Sequence, residues 1–121
     1  MRDHGRVSIL IVDDEPMLRE VLQEFLAEQG YNITLCPSGN EALKVLRGSD
    51  FTVVIADYDL SGVNGIEVLE AYKNQTQQGK SILYSGTGDT EVGKHPSVDI
   101  FLTKPFGLPQ LMGLLEQLLA E

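Results

Sequence analysis

Tryptophan is absent, cysteine occurs once and histidine twice, and nine lysines and arginines face eighteen aspartates and glutamates. Each shortage excludes something. The single Cys36 cannot form an intramolecular disulfide, and its place in a strand-like run makes it a core side chain. His4 and His95 lie far apart with no partner at ligand spacing, which argues against a histidine-centred metal site and leaves two solvated side chains. The cations are spread singly from Arg2 to Lys104 against a formal net charge of −9, so no basic patch exists to neutralise a phosphate backbone. Direct nucleic-acid binding by this chain is therefore not expected. Long apolar runs are missing too: the one beginning at Val7 is cut by Asp13 and Asp14, too early for a secretory signal or a membrane span. What is left is one cytoplasmic domain over residues 1–121 with its core in 7–120, for which a hydrophobic content of 42% suffices.

Short apolar runs are present, and they alternate with helical periodicity. Val7 to Val12 and Phe51 to Ala56 are continuous and rich in β-branched residues, as strands covered on both faces should be. Tyr31 to Cys36 is less apolar and fits an edge strand; Ser81 to Ser85 and Val98 to Thr103 complete a set of five. Pro16 opens a helix whose apolar residues recur from Leu18 to Leu26 before Gly30 stops it. Ser38 and Glu41 have capping-box spacing ahead of a short second helix ending near Gly48. Ile66, Leu69 and Tyr72 outline a third helix, and Leu108 to Leu119 a well-formed last one. Between Ser85 and Val98, where a fourth helix is due, Gly86, Gly88, Gly93 and Pro96 leave Val92 as the single aliphatic residue, so that helix is expected to be short or irregular. Strand–helix alternation requires right-handed parallel crossovers. The expected fold is α/β, a flavodoxin-like doubly wound (βα)5 sheet in the order 2-1-3-4-5.

In such a sheet ligands bind at the carboxyl ends of the strands. Those ends carry Asp13 and Asp14, Asp57, Ser85, and Lys104. Taken alone, Asp57 is equally well read as a turn cap. Taken together, three carboxylates crowd one region, where they repel and raise one another's pKa unless a cation holds them. A hard divalent ion such as Mg2+, which accepts a few carboxylate and carbonyl oxygens and keeps several waters, suits that set.

With Asp13-Asp14, Asp57, Ser85-Gly86 and Lys104-Pro105-Phe106 on consecutive strand ends, the chain resembles the receiver domain of two-component response regulators. The resemblance implies that Asp57 is the phosphoacceptor, taking a phosphoryl group from a sensor histidine kinase or a phosphotransfer protein. It implies Mg2+ bound by Asp14, Asp57 and the backbone carbonyl of Asp59, with Asp13 acting mainly through a water. Lys104 and Ser85 would each contact a phosphoryl oxygen, Phe101 would be the switch aromatic, and the Lys104–Pro105 bond would be cis. It further implies no enzyme beyond Mg2+-dependent self-phosphorylation and autodephosphorylation, and an output face made by the fourth helix, fifth strand and fifth helix. There a second copy or a protein effector would bind.

The sequence departs from the family where Ser61 replaces a usual proline, and in the short, glycine-rich segment after Ser85; Gly65 matches the family's turn glycine. The effect of Asp59 on the lifetime of a phosphoryl group has no readable sign. Two other readings compete. Asp57-Tyr58-Asp59 resembles the nucleophile motif of haloacid-dehalogenase-type phosphatases, and a pseudo-receiver would use the same fold for interaction alone.

Overall fold

The computed structural model of the chain describes residues 7–86 and 90–120. Five parallel strands, β1 (Ser8–Val12), β2 (Asn32–Cys36), β3 (Val53–Asp57), β4 (Lys80–Ser85) and β5 (Ile100–Thr103), form one sheet in the order β2-β1-β3-β4-β5. Four α-helices complete it: α1 (Pro16–Glu28), α2 (Gly39–Gly48), α3 (Gly65–Gln75) and α4 (Leu108–Leu119). The expected topology is therefore the observed one.

Strand alternation divides the core in two. Ile9, Ile11, Val53, Ile55, Ile82 and Tyr84 face α1 and α4, meeting Leu22, Leu26, Leu111 and Leu115. Leu10, Val12, Val54, Ala56 and Leu83 face α2 and α3, meeting Ala42, Leu46, Val68, Leu69 and Tyr72. Because both faces are covered, β1 and β3 have no solvent side, which is why their sequences show no polar alternation. Cys36 is buried in the second layer, and burial pushes its thiol pKa up, with the charge of Glu41 adding to the effect.

Local chemistry sets most of the element ends. Pro16 sits in the first turn of α1, and Gly30, at φ 95°, carries the chain out of it. Ser38 accepts from the Glu41 amide at 3.2 Å and so caps α2. The reciprocal capping box is at α3, where Asn64 Oδ1 accepts from the Glu67 amide at 3.0 Å and Glu67 Oε1 from the Asn64 amide at 3.2 Å.

The fourth connection is irregular, as its composition requires. A five-residue 3₁₀ helix, Thr90–Lys94, stands where an α-helix was due, while residues 87–89 of the glycine-rich stretch, like His4, lie outside the described residues. Gly93 has a packing reason: a Cβ there would come within 2.6 Å of Phe101 Cγ. The half-buried ring of Phe101 lies in that space.

At the amino end of the sheet, opposite the acidic strand ends, Asp99 ties β4 to α3. Its Oδ2 accepts from Lys73 Nζ at 2.6 Å and from the Ser81 amide at 2.9 Å, while Ser81 Oγ donates to the Ser97 carbonyl at 2.6 Å. Asp99→Ala removes the acceptor of the buried Ser81 amide and the ion-pair partner of Lys73, which keeps the Gly79 carbonyl at 2.7 Å, and is expected to cost about 1–3 kcal/mol, the penalty for a buried donor left unpaired. Lys73→Met should cost less, because it leaves the buried Ser81 pairing intact. Urea unfolding midpoints of the two variants check this order, and equal midpoints would contradict it.

Candidate functional site

The site is assembled from strand ends that the register makes neighbours. Val12 pairs with Ala56, and Asp57 with Tyr84, so the chain leaving β1 and the end of β3 emerge side by side with β4 next to them. Asp13 is fully buried, Asp57 is 3% exposed and Asp14 is exposed. Each offers a carboxylate oxygen, and these oxygens lie within 4.8 Å of one another. From β5, Lys104 extends its Nζ to 3.0 Å from Asp57 Oδ2 and 3.9 Å from Asp13 Oδ2. The Lys104–Pro105 peptide bond is cis.

Each carboxylate oxygen of the two buried acids has a defined partner. Asp13 Oδ1 accepts from the Glu15 amide at 2.7 Å, and Asp13 Oδ2 accepts from the Tyr84 hydroxyl. Asp57 Oδ1 accepts from the Asp59 amide at 2.9 Å, and its Oδ2 takes Lys104. Arg19, from the first turns of α1, donates to the Asp13 carbonyl at 2.8 Å and steadies the loop that carries both Asp13 and Asp14. The Lys104 ammonium also lies 5.0 Å from the centre of the Tyr84 ring, within cation–π reach, and that ring packs on Phe106 at 5.2 Å.

Electrostatics follow from three carboxylates around one ammonium. Burial raises the pKa of Asp13, and neighbouring Asp57 adds to this; the Tyr84 and Glu15 hydrogen bonds oppose it without cancelling it. Burial acts to lower the pKa of Lys104, but the hydrogen bond and charge of Asp57, joined by Asp13, outweigh it, and the net shift is upward. Lys104 is thus a fixed cation at neutral pH. The Tyr84 phenol is raised, first by burial and then by the charge of Asp13, so it stays a neutral donor. The all-oxygen donor set and the surplus negative charge fit a hard divalent cation held by Asp13, Asp14 and Asp57.

The Asp59 side chain and Ser85 are paired with each other, a contact the sequence did not suggest. Asp59 is bound to the cluster by its amide, but its carboxylate turns to β4, where Oδ2 accepts from Ser85 Oγ at 3.0 Å and from the Gly86 amide at 3.3 Å. Ser85 is buried at the end of β4, as a residue meant for the site should be. Phe101 is half-buried against Gly93. Tyr84 was missed. Its signal was the strand alternation, which sends residue 84 to the same sheet face as Ile82 and toward the end of β1, while Ser85 goes to the other.

Beside Lys104 an open groove of about 510 Å3 runs between α1 and the β5–α4 loop, lined by Leu18, Val21, Lys104, Pro105, Phe106 and Leu108. Val21 on its α1 side is 45% exposed; Met17, elsewhere on α1, is 75% exposed.

A family model described as the response regulator receiver domain matches residues 9–116. The transcriptional regulatory protein TcrA of Mycobacterium tuberculosis is 32% identical over 120 residues, covering 94% of this chain and 47% of that protein. The transcriptional regulatory protein FixJ of Bradyrhizobium diazoefficiens is 31% identical, covering 93% of this chain and 57% of that protein. The chain thus spans about half the length of these relatives. Among solved structures, the response regulator TrrA of Thermotoga maritima in complex with Mg2+ and beryllofluoride superposes with a TM-score of 0.84 at 32% identity, covering 93% of this chain and 98% of that one. The chemotaxis protein CheY4 of Vibrio cholerae superposes with the same score at 26% identity, over 93% of this chain and 98% of its own.

Proposed function

The chain belongs to the response regulator receiver domain family, and on that premise we propose that Asp57 is its phosphoacceptor, loaded by a histidine kinase or a phosphotransfer protein. One observation carries the reading: a nearly buried carboxylate at the end of β3 with an ammonium 3.0 Å from one oxygen and two further acids within 4.8 Å. Phosphoryl transfer asks little covalent help of a protein beyond a positioned nucleophile and charge neutralisation. A carboxylate is a competent nucleophile for such an intermediate. An Asp57 oxygen attacks the phosphorus of a phosphohistidine; the P–N bond breaks, the imidazole keeps the electron pair and takes up a proton, and an acyl phosphate forms. Attack of water on that phosphorus later returns Asp57 and releases orthophosphate. Lys104, kept charged by Asp57 and Asp13, stays beside the transferred group. Asp14, Asp57 and the Asp59 carbonyl, with Asp13 acting through a water, would hold Mg2+, which would offset the remaining negative charge of the phosphoryl oxygens.

The chain is a receiver, not an enzyme turning over a separate substrate; loading itself from small phosphodonors and dephosphorylating itself are part of this proposal. The groove beside Lys104 gives a donor protein an apolar seat next to the nucleophile. The segment Thr90–Lys94 with β5 and α4 is the face offered for output, to a second copy or an effector, with Ser85 and Phe101 as its switch residues. The chain is read as a single domain over 1–121. No helix among the described residues is long and apolar enough to cross a membrane, and a cytoplasmic setting fits a kinase partner. Engagement of Asp59 by Ser85 and Gly86 disfavours the phosphatase reading, which needs that carboxylate free for acid–base work.

The test is incubation with Mg2+ and acetyl phosphate followed by intact mass measurement. One phosphoryl adduct per chain is expected, absent without Mg2+ and absent in Asp57→Asn. A protein that binds neither phosphoryl nor beryllofluoride at Asp57 would be a pseudo-receiver.

A further inference from the structure

At the end of β4 two donors are held by one oxygen. Asp59 Oδ2 lies 3.0 Å from Ser85 Oγ and 3.3 Å from the Gly86 nitrogen. Ser85 is fully buried whereas Asp59 is exposed, so the carboxylate reaches in from the surface to meet the hydroxyl. The same residue donates its amide to Asp57 Oδ1 at 2.9 Å. Residue 59 therefore bridges the nucleophile and the end of β4.

We propose that the Asp59 carboxylate is an internal stand-in for the phosphoryl group, occupying Ser85 and Gly86 in the unloaded protein and having to leave before a phosphoryl oxygen on Asp57 can take them. The inference rests on the reading of Asp57 as phosphoacceptor and of Ser85 as a phosphoryl contact. Carboxylate and phosphoryl oxygens are both anionic acceptors and compete for the same donors. A phosphoryl group brings about −1.5 to −2 charges at neutral pH, and it cannot share two donors with a carboxylate at hydrogen-bond distance without strong like-charge repulsion. Asp59 is the partner able to yield, because its side chain is short, exposed and has water to turn to. Its departure breaks the two hydrogen bonds that fix the end of β4, and that loss is subtracted from what the phosphoryl group gains on arrival.

An exposed aspartate tied to nearby donors is commonplace and contributes little to stability. Here the donors are a buried hydroxyl and the amide next to it, and the carboxylate is anchored by its own backbone to the nucleophile. Asp59 is thus a positioning residue. It holds Ser85 in the unloaded arrangement and weakens loading.

The experiment compares the wild-type protein, Asp59→Ala and Asp59→Asn, all of which keep the Asp59 backbone carbonyl. With Mg2+ present, Asp59→Ala is expected to bind beryllofluoride about tenfold more tightly, the scale of one hydrogen bond to a charged group. In metal-free protein the Gly86 amide proton, hydrogen-bonded in the wild type, should move upfield in Asp59→Ala and return downfield as beryllofluoride binds. Equal or weaker binding by Asp59→Ala, or an unmoved Gly86 resonance, overturns the proposal; if that variant does not fold, the Asp59→Asn affinity is read the same way. Failure of the wild type to form any Asp57 adduct would instead remove the phosphoacceptor reading, so the two failures are distinct.

Discussion

Asp13→Asn is expected to melt at a higher temperature than the wild-type protein in chelator and to lose all response to Mg2+. Asp13 is fully buried within oxygen-to-oxygen reach of Asp14 and Asp57, and its pKa is raised, first by burial. A carboxyl whose folded-state pKa lies above its unfolded value destabilises the fold when ionised. That cost is fully present above the raised pKa and shrinks as the pH falls toward the ordinary value of 3.8. Asparagine removes the charge while keeping the shape: its Oδ1 can accept the Glu15 amide, and its Nδ2 can donate to the Tyr84 hydroxyl, which turns to receive it. Lys104 keeps its closer partner, Asp57. The metal-free protein therefore gains, and its gain over wild type narrows on acidification.

The metal side of this prediction is the larger. A cation at about a hundred times its Kd stabilises the wild-type fold by roughly 2.7 kcal/mol, and each kcal/mol moves the melting temperature of a domain this size by roughly 3–5 °C. Removing one of three carboxylates should abolish that shift at the same Mg2+ concentration. Thermal melts with chelator and with MgCl2, repeated between acidic and neutral pH, check both halves. A variant that melts lower in chelator, or that still rises with Mg2+, would show that the buried Asp13 charge does not destabilise the metal-free fold or does not help hold the cation.

Gly65→Ala is expected to lower stability by about 2–3 kcal/mol and to slow loading of Asp57. Gly65 is the first residue of α3, and a Cβ there would lie on the Asp57 carbonyl oxygen, 2.9 Å from the carbonyl carbon and 2.8 Å from Leu83 Cδ1. Alanine in a helix interior gains up to about 1 kcal/mol over glycine, but the first helical position collects only part of that. The obstacle on the other side is backbone, which has no rotamer to escape into. Relief requires moving either the capped start of α3, with its Asn64–Glu67 box, or the end of β3, with Asp57 on it. Urea unfolding gives the first quantity and the rate of adduct formation from acetyl phosphate the second. Wild-type values for both would mean that α3 and β3 do not approach so closely in solution.

Much of this was legible beforehand because it is local. Apolar runs bounded by acids gave β1 and β3, a proline and a glycine bracketed α1, and the poverty of aliphatic residues after Ser85 gave the irregular fourth connection, now a 3₁₀ turn. The candidate site was legible at the level of which residues gather. Asp13, Asp14, Asp57 and Lys104 do come together, since each ends a strand and parallel strands end on one edge. Tyr84 was legible only by its place in the strand alternation, and an aromatic in a buried strand is most often only core.

The sequence by itself determined the order of elements, the two-sided burial of the sheet and the edge on which its acids stand, because helical and strand periodicity, caps and breakers act over a few neighbouring residues. The tertiary structure alone decided how those acids are paired. The Tyr84 hydroxyl chose Asp13 across 71 residues, Lys104 chose Asp57 across 47, and Ser85 chose Asp59 across 26. Such choices depend on strand register and on which face each side chain takes, and a one-residue slip reverses every one of them.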